Sequence, residues 1–164
     1  MARSVAAKKT RNSRKKVQEA YGSYIIEVAD WETSYSFTVN RDDRFYSGSY
    51  REHLHLEIKG VLRYPFKSDG KDIRVLLLGD RKLTSNLVDE IYLDPQPQSI
   101  GGLTIRGEQR DFSAFIPFDA VPVVSSLLQA KQVRFISMSG TALFRGSASI
   151  NWINFMHDFD PNEW

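Results

Sequence analysis

Cysteine is absent from the 164 residues, and with it go disulfides, thiolate zinc sites, iron–sulfur ligation and a cysteine nucleophile. Histidine is scarce. A Ser-His-Asp triad would have to use His53, His55 or His157, and no Gly-x-Ser-x-Gly stretch accompanies them. Neither Gly-x-Gly-x-x-Gly nor Gly-x-x-x-x-Gly-Lys occurs, so the phosphate-cradling loops of the simple nucleotide folds are missing. No apolar run approaches the roughly 18–20 residues that a membrane-spanning helix needs, and the N-terminus lacks the apolar core of a secretory signal. The chain therefore reads as soluble and cytoplasmic, with no membrane partner.

What is present is enough to fold. Hydrophobic residues make up 41% and aromatics 12%, which offsets the ordering entropy of a chain of single-domain length. The net charge of +2 conceals a split. Residues 1–16, "MARSVAAKKTRNSRKK", carry Arg3, Lys8, Lys9, Arg11, Arg14, Lys15 and Lys16 and no acid. Removing these seven from the 22 bases leaves 15 against 20 acids, so residues 17–164 are formally −5 and end in the acidic "HDFDPNEW". The expected organisation is a basic, flexible arm over 1–16 and one β-rich domain over 17–164.

From Tyr21 onward the pattern has period two. Tyr35, Phe37 and Val39 alternate with Ser34, Ser36, Thr38 and Asn40, and "YGSYIIEVADW" before them is expected to be the hairpin partner, turning near Asp30–Thr33. Leu54, Leu56, Ile58, Leu62 and Tyr64 share one parity, and Arg51, His53, His55, Glu57, Lys59 and Arg63 the other. "IRVLLL" returns after an Asp-Gly turn as a central strand. "NLVDEIYL" leans to strand, and "GLTIRGE" and "DFSAFIPF" read as two short strands. One amphipathic helix is expected at about 119–131, with Asp119 as N-cap, Pro122 in the first turn and Val121, Val124 and Leu128 along one stripe. "VRFISMSG" and "TALFRGSASINWINF" follow as strands, with Gly60 and Gly146 inside long strands, where glycine marks a bend or bulge. The fold class is α+β, predominantly antiparallel β: a bent sheet forming a partly closed barrel or a two-layer sandwich.

Three chemistries fit these residues. His53 and His55 project to the same side of a strand, so together with Glu57 or His157 they are the residues that would hold a divalent metal. The same row, flanked by Arg51, Lys59 and Arg63, is equally what a solvated sheet face looks like. The carboxylate pairs Asp42–Asp43, Asp89–Glu90 and Asp158-x-Asp160 have ordinary settings in a loop, an exposed face and an acidic terminus. The basic arm is the largest asymmetry. Seven cations in 16 residues suit phosphates, and the loop "RDDRFYSGSYR" adds Arg44 and Tyr46 in a basic and aromatic mixture that suits unpaired bases. The expectation is a non-enzymatic binding domain for a polyanion, nucleic acid foremost, without a cofactor. The alternatives are a homo-oligomeric scaffold whose arm straps a neighbouring subunit, and a metal-dependent enzyme using His53 and His55. The arm's Arg, Ser and Ala content also fits a mitochondrial presequence, although it lacks the Leu or Phe of an amphipathic face.

Overall fold

The computed structural model describes residues 21–39, 50–86 and 98–160. Seven strands form a closed barrel: β1 (Tyr21–Val39), β2 (Tyr50–Tyr64), β3 (Asp72–Asp80), β4 (Gly101–Arg106), β5 (Gln109–Pro117), β6 (Phe135–Thr141) and β7 (Ser147–Met156). The order around the barrel is β1-β2-β3-β5-β4-β7-β6, and β6 closes on β1. Every neighbouring pair is antiparallel except β3 with β5, which run parallel. Two helices accompany them, α1 (Arg81–Asn86) and α2 (Ala120–Gln129). The expected β-rich α+β class holds, and of its two architectures the barrel is the one adopted.

The core fills the barrel with alternate residues of each strand. Leu56, Ile58 and Leu62 of β2, Val75 and Leu77 of β3, Phe112 of β5, Ile136 and Met138 of β6 and Ile150 of β7 are fully buried. Burial of each such side chain contributes roughly 1.5–3 kcal/mol. Tyr24 joins them and donates its hydroxyl to the Thr141 carbonyl at 2.8 Å, which satisfies the one polar atom it takes inside. The helix α2 lays Val121, Val124 and Leu128 onto the same core and touches β2, β3 and β5, closing the end where these strands meet.

Three local expectations change. The stretch from Tyr21 to Val39 is one strand of 19 residues and not a hairpin. Asp30–Thr33 has no glycine or proline to reverse the chain, and the register instead slips between Val28 and Asp30, so that Val28 faces Gly60 and Asp30 faces Lys59. This bulge inverts the strand's parity: Tyr24 and Ile26 point inward before it, and Trp31, paired with Ile58, packs on the core after it. Gly60 is the residue that permits it, because a Cβ there would stand 2.5 Å from Ile26 Cγ2 and 2.6 Å from the Glu27 carbonyl oxygen.

Second, "TALFRGSASINWINF" is split by a tight turn: Phe144 and Ser147 bridge, and Arg145 and Gly146 have φ of 51° and 79°. Two consecutive positive φ values are those of a primed hairpin turn, so Gly146 belongs to a reversal and not to a strand bulge. Third, Asp119 occupies the N-cap position of α2 but makes no side-chain cap bond. The segment Leu87–Leu93 and the arm 1–16 lie outside the described residues. None of the helices among the described residues is long and apolar enough to cross a membrane.

Gly60→Ala is expected to destabilise the fold by about 1–3 kcal/mol, because one of the colliding atoms is backbone and cannot rotate away. The shift of the denaturant midpoint at unchanged m-value measures it.

Candidate functional site

Beyond the barrel, β1 and β2 continue together as a two-stranded ribbon. β6 accompanies β1 only over Tyr21–Glu27 and β3 accompanies β2 only over His55–Val61, whereas β1 and β2 pair as far as Val39↔Tyr50. On the ribbon the face that continues the barrel interior carries Tyr35, Phe37, Tyr50, Glu52 and Leu54, since Tyr35 pairs with Leu54 and Phe37 with Glu52. Hydrophobic burial stops where the barrel stops. Tyr35, Phe37 and Tyr50 are 57%, 58% and 67% exposed, although their parity is that of core residues. Phe37 and Tyr50 stack with ring centroids 5.1 Å apart and planes 14° from parallel. Exposed aromatics gathered on one face mark a contact surface more strongly than scattered ones do.

A charged cluster anchors the base of this face. Glu52 accepts from the Tyr35 hydroxyl at 3.1 Å through Oε1 and from Arg81 Nε at 2.5 Å through Oε2. The guanidinium of Arg81 also sits over the Phe118 ring, 4.2 Å from its centroid. Arg81 is held there by the start of α1, whose Lys82 amide donates to Asp80 Oδ1 at 2.8 Å, an N-cap at the junction of strand and helix. From the other side, Thr33 and Ser125 share a hydrogen bond of 2.8 Å that ties the ribbon to α2.

The bond from Arg81 holds the Glu52 carboxyl below the ordinary carboxylate range, with the Tyr35 bond adding to it. Tyr35 is shifted upward by its partly desolvated setting and by Glu52, and Arg81 is shifted upward by its bond to Glu52. A general acid needs a pKa near the working pH, and both oxygens of Glu52 are occupied, so this cluster positions side chains and is poorly suited to move protons.

The sequence-derived metal residues separate in space. His53 pairs with Ser36 and His55 with Ser34 on the outer face of the ribbon base. His157 follows Met156, which is level with Phe135 and so with Glu27 of β1. Ser34 and Glu27 lie about 20 Å apart along β1 at a rise of ~3.3 Å per residue, so His157 and the pair stand towards the same end of the barrel but well apart. Glu57 is taken by Arg74 at 2.5 Å, and that bond lowers its pKa. Among the described residues, no three histidines or carboxylates are grouped to hold an ion. Asp158 and Asp160 lie exposed beside His157, past the end of β7.

Arg3, Lys8, Lys9, Arg11, Arg14, Lys15, Lys16, Arg44 and Tyr46 lie outside the described residues, as do Asp42–Asp43 and Asp89–Glu90. The ribbon aromatics Tyr35 and Phe37 were legible only as one face of a strand. The signal that separates them from core residues is that the strand outruns its neighbours, which pairing alone reveals. An open groove of about 410 Å³ lies elsewhere, on the outer face of β3 and β5 beside Arg74, Gln109 and Asp111.

The chain matches no protein-family model, and no curated protein or solved structure shows significant similarity to it.

In Arg81→Gln, the Glu52 carboxyl should titrate at higher pH than in the parent, because the largest cause of its depression is removed. Whatever stability the cluster supplies is present above the unfolded carboxylate pKa and is lost as pH falls through the lower folded one. A carboxyl-carbon NMR titration of the two proteins measures the displacement.

Proposed function

We propose that this chain is a non-enzymatic binding domain for a polyanion, with single-stranded nucleic acid as the ligand. The observation that carries the reading is the exposed face of Tyr35, Phe37 and Tyr50, on a ribbon whose strands are joined in sequence by residues 40–49 with Arg41, Arg44, Phe45 and Tyr46. The physical logic combines two terms. Cations on the Arg3–Lys16 arm neutralise phosphates and release counterions, which sets affinity without reading sequence. Aromatic rings offer π faces on which any unpaired base can stack, and each such contact is worth about 1–3 kcal/mol.

Charge placement supports a local contact. Residues 17–164 are formally −5, so phosphates are repelled by the body as a whole and tolerated only where bases are concentrated. The arm is one such place. In the ribbon's sequence Arg41, Arg44 and Arg51 are balanced by Asp42, Asp43 and Glu52, so this stretch offers arginines without the net negative charge of the body. Stacking rings on a strand pair resemble the devices by which sheet proteins hold unpaired strands, and the cluster of Arg81, Glu52 and Tyr35 supplies the rigid base.

Binding of a fluorescent oligothymidylate across a salt series tests this. The intact chain should show log K falling with log salt, with a slope of about −5 if all seven arm cations engage a single strand. Removing residues 1–16 should flatten that slope. Phe37→Ala should weaken binding by about 1–3 kcal/mol at unchanged slope, since it removes a ring and no charge. Weak, salt-insensitive binding that neither change affects would overturn the reading.

A further inference from the structure

Among the described residues, the ribbon leaves the longest stretch of strand with a neighbour on one side only. After Glu27, β1 leaves β6, keeping one further backbone bond from the Val28 amide to the Arg134 carbonyl at 2.8 Å. From Asp30 to Val39 its one strand partner among the described residues is β2, so its other edge carries unpaired N–H and C=O groups. Natural proteins blunt such edges with proline, lysine, inward charges or short length. Thr33–Val39, "TSYSFTV", has none of these protections. It is uncharged, rich in β-branched and aromatic residues, and lies on a strand of 19 residues.

We propose that this edge pairs antiparallel with the same strand of a second copy of the chain, joining two ribbons into one four-stranded sheet. The pattern is self-complementary. With Ser36 opposite Ser36, Phe37 faces Tyr35 of the second copy and Ser34 faces its Thr38, so aromatic meets aromatic on one face and hydroxyl meets hydroxyl on the other. The contact has two-fold symmetry and closes on itself, which limits it to a dimer. No like charges stand opposite one another within Thr33–Val39, and a charged peptide would find no counter-charge there. At longer range the signs favour a second copy, because each body is formally −5 and each arm +7.

This pairing does not rest on the nucleic-acid reading and is measured without nucleic acid. The protein mass is followed by sedimentation from micromolar to about 100 micromolar. The intact chain should reach twice 18.8 kDa. Ser36 is exposed, so Ser36→Lys and Ser36→Asp should leave the circular dichroism spectrum unchanged while placing two like charges at the two-fold axis. Each alone should raise the dimer dissociation constant at least tenfold, and an equal mixture of the two should recover the dimer. An intact chain that stays monomeric at the highest concentration would overturn the proposal. So would a dimer that both substitutions leave intact, or one that depends on residues 1–16 alone.

Discussion

One extra residue in β1, inserted between the pairs Val28↔Gly60 and Asp30↔Lys59, decides which way every later side chain of that strand points. Side chains of a strand alternate strictly, so a slip of one moves the whole set to the other face. With the bulge, Trp31 covers Ile58 and the run through Tyr35 and Phe37 continues the inner surface of the barrel. Without it, the same aromatics would share the outer face with His53 and His55. The absent side chain of Gly60 gives the bulge its room, and so a glycine on one strand sets the display of aromatics on its neighbour.

The two faces of the ribbon then acquire different chemistry from the same strand pair. On the inner side, a carboxylate bonded to a phenol and a guanidinium forms a fixed base, and the guanidinium is in turn placed over Phe118. On the outer side of the barrel below it, Glu57 is occupied by Arg74, and Arg63 bridges Glu27 and Asp69. Exposed pairs of this kind add little to stability, but they consume the carboxylates that a metal or an acid–base mechanism would need.

Closure of the barrel and exposure of the ribbon are two sides of one length mismatch. β1 has 19 residues and β2 has 15, while β3 has 9 and β6 has 7. Neighbours of unequal length cannot cover the longer pair to its end. Where the cover stops, the core pattern runs out into solvent, and the backbone edge is left without a neighbouring strand. Aromatic surface and open edge therefore occur together on the ribbon.

Apolar residues at every second position were enough to locate β2, β3, β5 and most of β6, even though Val61, Leu76, Leu78 and Phe115 interrupt the outward side. The stripe of Val121, Val124 and Leu128 similarly located α2. The charge split between residues 1–16 and the remainder is a property of composition and needed no fold. Tertiary structure alone decided that Asp30–Thr33 continues a strand instead of turning, since a bulge is created by pairing and leaves no residue signature beyond Gly60 on the partner. It alone decided that Arg145 and Gly146 reverse the chain, that His157 stands apart from His53 and His55, and that Tyr35 and Phe37 lie beyond the last covering strand. Alternation says which side of a strand a residue occupies; what stands on that side is set by the lengths and order of the strands around it, and these are long-range facts that no local pattern carries.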